Sequence, residues 1–250
     1  MIKLKHLLED FDIEAHLRER GVDPSKTKVI MDMENGIATF MLYNLSGQAV
    51  GYQRYNPRGD KKDHSNSLAA KYYTYITKES PKIAKLAVWG TENIDPRNPY
   101  LFVTEGIFDA NKLKNAGYPA IAVLTNNPEH LRPWFKILNK KIVAIVDKDS
   151  AGSKLKKYAD QWFEVPDGFK DLGEMPQKIA NEFLNGVSKK LENYPRTAKT
   201  THSFSKMKVT NPKTGNDILV KTALNYGVEH PAYRAAKSKL MKAKSQFGGN

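Results

Sequence analysis

The middle of the chain alternates between short apolar runs and segments with apolar residues at helical spacing. The run KIVAIVD is apolar without alternation, which is typical of a strand that is covered on both faces. The strand-like runs lie at 100–104, 120–125, 141–147 and 163–166, and the helical segments lie between them at 107–117, 127–140 and 150–163. This order predicts an α/β fold, with a parallel sheet, right-handed crossovers and helices on the faces of the sheet.

The flanking parts of the chain follow other patterns. Residues 1–20 carry an apolar stripe that predicts a helix, 36–57 reads as a hairpin around the turn NLSGQ, and 69–80 adds a strand. After residue 186 the alternation stops, and a linker, a turn at 211–216 and a basic helix at 230–246 are expected. We therefore predict three parts, which are a small mixed α+β subdomain (1–97), the parallel-sheet domain (98–185) and a basic C-terminal segment (186–250).

Charge points to a polyanionic partner. The formal net charge is +13 over 250 residues, and residues 186–250 carry 13 Lys or Arg against three Asp or Glu. Basic groups that neutralise phosphates release counterions, so nucleic acid or anionic lipid is favoured. The aromatic residues of this segment can stack on single-stranded bases or pack into a small core of their own; they are Phe204, Tyr226, Tyr233 and Phe247.

Composition excludes several kinds of site. The chain has no cysteine, which rules out disulfides and cysteine-bound zinc, and its six histidines form no HExxH motif. No run of 18 apolar residues occurs, so no membrane span is expected. The charged N-terminus does not resemble a signal peptide, and a cytoplasmic location is expected.

Carboxylates follow two of the predicted strands. Glu105 comes directly after the first strand, and Asp147 and Asp149 come at the end of the third. If these strands are neighbours, the three side chains meet at the carboxyl edge of the sheet. Such a cluster is tolerated when it is protonated or binds a divalent cation, and oxygen ligands suit Mg²⁺ or Mn²⁺. The alternative is that the two aspartates simply stabilise the start of the next helix, with Ser150 as its cap.

Two stretches, VTEGIFDANKLKNAG and VAIVDKDSAGSK, resemble the Toprim domain, which topoisomerases, bacterial and phage primases and some nucleases share. The first matches the primase pattern EGxxDA and the second matches DxDxAG, while GFKDLGEM offers a softer third match in which Leu172 replaces the usual proline. The resemblance covers residues 99–176. It implies Glu105, Asp147 and Asp149 as catalytic residues, Asp109, Asp171 and Glu174 as supporting residues, and a Mg²⁺ or Mn²⁺ ion. The implied metal ligands are Glu105, Asp147, Asp149 and Asp171.

The preceding subdomain resembles the one that primases carry before Toprim. SGQAVGYQRYNPRGDKK and AAKYYTYITKES are similar to its glycine-containing hairpin and its KY element. The resemblance implies that basic residues here bind the nucleotide or the template phosphates; they are Arg54, Arg58, Lys61, Lys62, Lys71 and Lys148. For Lys61 and Lys62 a solvated basic loop is an equal alternative.

The resemblance implies a phage-like DNA primase, a nucleotidyltransferase that makes short RNA primers on single-stranded DNA from nucleoside triphosphates. A replicative helicase and a single-strand-binding protein are further expected partners. The sequence contains no zinc-binding module and no GxxxxGK[ST] loop, so neither a zinc reader nor a fused helicase is expected in it. Two alternatives stay open, which are a Toprim nuclease and a replication factor that binds nucleic acid without catalysis.

Overall fold

The structure is a computed structural model of the chain. It describes residues 11–61, 66–80, 83–84, 86–125, 128–148, 152–192 and 206–247.

An antiparallel sheet of four strands dominates the first part of the chain. It follows helix α1 (Ile13–Glu19), which Asp12 caps by accepting a 2.9 Å hydrogen bond from the backbone N–H of Ala15. The strands, in order across the sheet, are β1 (Val29–Asp32), β2 (Ile37–Tyr43), β3 (Ala49–Tyr55) and β4 (Tyr72–Ile76). The predicted hairpin is β2 and β3. The expected N-terminal helix is present from Ile13, and residues 1–10 lie outside the described part of the chain.

The second sheet is parallel and has four strands. A small antiparallel pair, β5 (Lys78–Ser80) and β6 (Ile83–Ala84), precedes this sheet along the chain. The strands and intervening helices of the parallel sheet are β7 (Tyr100–Thr104), α2 (Ile107–Asn115), β8 (Ala120–Ala122), α3 (Arg132–Ile137), β9 (Lys141–Val146), α4 (Gly152–Leu155) and β10 (Gln161–Glu164). The four strands lie in the order β10-β9-β7-β8. The predicted fold class, a parallel sheet flanked by helices and preceded by a mixed subdomain, is confirmed.

One predicted helix is much shorter than expected. The segment 150–163 was expected to be helical with Trp162 facing inward, but α4 ends at Leu155 and a single 3-10 turn, Lys156–Tyr158, follows it. Trp162 lies in β10 and is 48% exposed. β10 alternates half-buried and exposed residues, with Trp162 on the exposed face, and so short a strand has too few apolar positions to be told from a helix by their spacing.

The parallel sheet separates two hydrophobic cores. Along β9, Val143 and Ile145 pack into the first core, with α1, the antiparallel sheet and the long helix α5 (Gln177–Glu192). Ile142 and Ala144 point to the opposite face and pack into the second core. This period-two alternation between two buried faces explains why the strand is apolar at every position.

The C-terminal segment covers the second core. It consists of β11 (Lys208–Thr210), β12 (Asp217–Leu219), α6 (Val220–Ala223) and α7 (Pro231–Phe247). Tyr233 is 2% exposed, and its hydroxyl donates a 2.7 Å hydrogen bond to the carbonyl oxygen of His130. Tyr233 is therefore a core residue, in agreement with the alternative that the aromatic residues of this segment pack into a core. Helix α5 runs through residue 186, so the predicted boundary at 185/186 falls inside a helix, and the division into three parts stays a prediction.

Candidate active site

Strands β7 and β9 lie side by side, so the acids at their carboxyl ends face one cavity of about 510 Å³. Glu105 follows β7, Asp147 follows β9, and both side chains are half-buried. Asp109 reaches the cavity from the first turn of α2. The carboxylates that line the cavity are Glu105, Asp109, Asp147, Asp171 and Glu174. Five acids from three segments of the chain thus line this cavity, which is called the acidic cavity.

Asp109 carries the clearest electrostatic signature of this gathering. Burial, followed by the nearby carboxylates Asp171 and Asp147, raises its pKa to about 7. The backbone N–H of Gly173 donates a 2.7 Å hydrogen bond to Asp109 Oδ1 and opposes that rise. Burial is the larger cause of this raised pKa, and the two neighbouring carboxylates add to it.

Glycine at position 106 is required by the position of Asp109. A Cβ atom on Gly106 would lie 2.6 Å from Asp109 Oδ2, closer than real Cβ contacts allow. Asp109 cannot easily move away, because Gly173 holds its other oxygen. The pairing of glycine and aspartate in the EGxxD motif therefore has a steric reason.

The loop after β8 also supports the cavity. Leu124 lines it with a φ of +58°, which is uncommon for a residue with a side chain. Its backbone N–H donates a 3.0 Å hydrogen bond to the carbonyl oxygen of Glu105. Left-handed backbone at a non-glycine residue is typical of functional sites, where the surrounding structure enforces it.

Cations also line the acidic cavity. They are Arg20, Lys61, Lys71 and Lys170. Burial, followed by the charges of Lys61 and Arg20, lowers the pKa of Lys71, which shows that these groups act on one another. The cavity thus places carboxylates and cations around one space, an arrangement suited to a ligand that carries phosphates and a metal ion.

The other predicted site residues lie elsewhere. The guanidinium of Arg54 donates a 3.1 Å hydrogen bond to Ser67 Oγ, and that of Arg58 donates one of 2.9 Å to the carbonyl oxygen of Asn35. Lys148 forms an ion pair with Asp167. None of these three basic residues lines the acidic cavity. Asp149 and Lys62, the remaining two, lie outside the described residues, and the roles of all predicted site residues stay predictions.

Arg20 was missed from the sequence. It follows α1, more than 80 residues before Glu105 along the chain, and no motif marks it. Its guanidinium lies 4.1 Å from the ring centroid of Phe108, and its Nη1 donates a 3.4 Å hydrogen bond to the hydroxyl of Tyr55. Only the packing of α1 on α2 and β3 brings it to the cavity. Lys170 stood in a matched motif, but no site role was assigned to it.

The donor set of the acidic cavity fits a hard divalent cation. All candidate ligands are carboxylate oxygens, and Mg²⁺ binds through one or two carboxylates while it keeps several waters. Within the described part of the chain, no group of three or more acidic or histidine side chains is close enough to hold a metal by itself. The described carboxylates can therefore supply one or two ligands of a hydrated Mg²⁺ rather than a closed metal site.

No family model and no curated protein matches the sequence. Among solved structures 16 chains match. One is the Aquifex aeolicus primase with its zinc-binding and RNA polymerase domains, at 20% identity and a TM-score of 0.45, over 61% of this chain and 40% of that one.

Two further solved structures resemble the chain. The RNA polymerase domain of Mycobacterium tuberculosis primase DnaG has 16% identity and a TM-score of 0.46, over 71% of this chain and 62% of that one. The primase fragment of the bacteriophage T7 primase-helicase has 17% identity and a TM-score of 0.38, over 62% of this chain and 61% of that one. The chain thus spans 40% to 62% of these three structures. All three are named as primases or parts of primases.

The described helices include none that is both long and apolar enough to cross a membrane.

Proposed function

We propose that this protein is a primase-type nucleotidyltransferase that makes short RNA primers on single-stranded DNA from nucleoside triphosphates. The observation that carries the proposal is the acidic cavity itself, where carboxylates from two neighbouring strand ends face a group of Arg and Lys side chains. Extension of a primer joins two phosphate-bearing substrates, so it needs both kinds of charge at one place. The motif resemblance supports the same reaction.

The basic residues and the carboxylates of the cavity have distinct roles in this proposal. Arg20, Lys61 and Lys71 bind the triphosphate of the incoming nucleotide and offset its charge. Glu105 accepts the proton of the attacking 3′-hydroxyl or serves as a metal ligand. Mg²⁺ or Mn²⁺, when bound by Asp147, Asp149 and Asp171, supplies charge neutralisation at the phosphates.

Two carboxylates, Asp109 and Asp171, also hold the motifs of the cavity in place. Asp109 ties α2 to the 3-10 helix Leu172–Glu174 through the N–H of Gly173. Asp171 caps that 3-10 helix by accepting a 2.9 Å hydrogen bond from the N–H of Glu174. These two bonds keep the third motif next to the first, and Glu174 stays at the cavity wall.

The partners follow from the reaction. They are single-stranded DNA, nucleoside triphosphates, a replicative helicase and a single-strand-binding protein. The location is the bacterial cytoplasm, which is that of the host if the chain is encoded by a phage. Exposed basic residues of α7, among them Lys237, Lys239 and Lys242, offer a surface for the DNA backbone.

Primer synthesis in vitro tests the proposal. The protein is incubated with labelled nucleoside triphosphates, Mg²⁺, a set of single-stranded templates of varied sequence and candidate helicases, and labelled oligoribonucleotides are expected. Asp147→Asn should lower the rate by orders of magnitude. Lys71→Met should act mainly by raising KM for the nucleotide.

Lys26→Met is the matched control, because it removes the same charge from an exposed lysine that pairs with Asp23 and does not line the acidic cavity. It should leave synthesis within about twofold. Failure of the wild type to make any oligoribonucleotide would contradict the proposal. Cleavage of nucleic acid that needs the metal and no nucleotide would instead favour a Toprim nuclease, and full function of Asp147→Asn would favour a non-catalytic replication factor.

A further inference from the structure

A second cavity, of about 480 Å³, lies between the end of α1, helix α2 and the start of α5. It shares Arg20 and Glu174 with the acidic cavity, but none of the aspartates lines it. Its walls include Lys112 from α2 and Gln177 from the first turn of α5. It is called the Lys112 cavity below. Lys112 and Glu174 stand in two of the matched stretches, but neither the resemblance nor the proposed reaction gives Lys112 a role.

Lys112 is an unusual residue in this position. It is only 5% exposed, although lysine is among the residues that are least often buried without a partner. No hydrogen bond or ion pair joins its ammonium group to another residue in the described ranges. Burial, followed by the charge of Arg20, lowers its pKa, while Asp109 and Asp171 act on it only through space. The fold thus keeps a cation at the wall of a cavity where the described protein offers it no counter-ion in contact.

The other charges of the cavity leave this cation available. Arg18, which also lines it, is neutralised by ion pairs of 2.7 Å with Glu14 and 3.1 Å with Asp23. Glu19 and Glu174 also line the cavity, and within the described residues neither carboxylate is hydrogen-bonded to or paired with the Lys112 ammonium group.

The start of α5 adds a second attraction for anions. This helix has 16 residues and carries no acidic side chain in its first turn, so the positive end of its dipole is not offset there. Pro176 and Gln177 at that end line the same cavity as Lys112. The first N–H groups of a helix have no partner within the helix and bind phosphate readily when they face a ligand.

We propose that the Lys112 cavity binds inorganic phosphate or a phosphate monoester, held between the Lys112 ammonium group and the N-terminal N–H groups of α5. A volume of about 480 Å³ leaves space for a phosphate together with a small organic group. The proposal concerns binding alone, so it stands or falls separately from primer synthesis. Because Arg20 lines both cavities, an anion bound here also competes for Arg20 with a ligand in the acidic cavity.

Isothermal titration calorimetry of the full chain with inorganic phosphate, at constant ionic strength and with EDTA, tests this. Wild type is expected to bind one phosphate, Lys112→Met to bind it about ten-fold to a hundred-fold more weakly, and Lys112→Arg to stay within several-fold of wild type. Lys178→Met is the matched control, since it removes a lysine charge from the first turn of α5, and Lys178 does not line the cavity. Lys71→Met tests the acidic cavity, and neither control should change the affinity for phosphate.

Competition experiments identify the source of the phosphate. A nucleoside 5′-monophosphate should displace inorganic phosphate, whereas an oligonucleotide without terminal phosphates, which offers only phosphodiesters, should not. The proposal is overturned if wild type binds no phosphate, or if Lys112→Met has unchanged circular dichroism and binds phosphate as well as wild type does. It is also overturned if Lys71→Met abolishes phosphate binding, or if only the oligonucleotide competes with phosphate.

Discussion

Replacing Asp109 by asparagine is expected to stabilise the metal-free protein, and the gain should depend on pH. The pKa of Asp109 is raised from its usual 3.8 to about 7 by burial and by Asp171 and Asp147. Asparagine has nearly the same shape but cannot ionise, and its side-chain oxygen can still accept the hydrogen bond from Gly173. The substitution therefore removes the cost of the charge while it keeps the contact.

The magnitude follows from the two pKa values. Each unit of difference corresponds to about 1.36 kcal/mol, so the ionised carboxylate costs about 4 kcal/mol once the pH exceeds both values. In the unfolded chain the group ionises near its usual pKa, whereas in the folded protein it keeps its proton until about pH 7. Wild-type stability therefore falls as the pH rises between these values and then levels off. The gain from Asp109→Asn should be near zero below about pH 4, about 1.5 kcal/mol near pH 5 and about 4 kcal/mol near pH 8.

Guanidinium chloride unfolding followed by circular dichroism, with EDTA at several pH values, measures this gain. Asp167→Asn is the control, because the pKa of that exposed carboxyl is lowered by Lys148 and its loss should destabilise slightly or not at all. Magnesium should then stabilise wild type more than Asp109→Asn, since a cation relieves the same repulsion. The reasoning fails if the gain is the same at all pH values, or if Asp109→Asn is less stable than wild type near pH 8 in EDTA.

Three further predictions concern other parts of the structure. Gly106→Ala should displace the Asp109 carboxylate and lower primer synthesis at least tenfold, with little loss of helix content by circular dichroism, and unchanged activity would contradict the steric argument. Tyr233→Ala should destabilise the protein by about 3–5 kcal/mol in denaturant unfolding, because it empties a site in the second core, whereas an exposed tail residue would cost almost nothing. Lys148→Met should change the free energy of unfolding by less than about 1 kcal/mol, since its ion pair is exposed, and a larger loss would show that the pair is structural.

The local pattern of apolar and polar residues was sufficient to predict most of the strands and helices and the acidic residues of the two motifs. Strands buried on both faces are apolar at every position, and a glutamate or aspartate directly after such a strand lies at the carboxyl edge of the sheet. The sequence therefore predicted Glu105 and Asp147 at the ends of two strands, and the structure shows that these strands are neighbours. Where apolar spacing is ambiguous between a short helix and an edge strand, as at Trp162, the same reasoning gave the wrong element.

The surroundings of the acidic cavity could not be deduced in the same way. Arg20 reaches it because α1 packs on α2, and Arg54 and Arg58 are directed to other partners by hydrogen bonds that depend on the register of β3 and the loop after it. A basic residue in a sequence carries no sign of which cavity it faces, because long flexible side chains reach several partners.

The sequence by itself therefore determined the α/β order, the two acidic motifs and the basic character of the chain, since each depends on residues close together along it. Only the tertiary structure decided which cations face the acids, that Lys112 is buried beside a second cavity, and that the C-terminal segment covers the second face of the sheet. The physical reason is that burial and charge pairing depend on distances between segments that are remote in the chain, and these distances exist only once the two cores have formed.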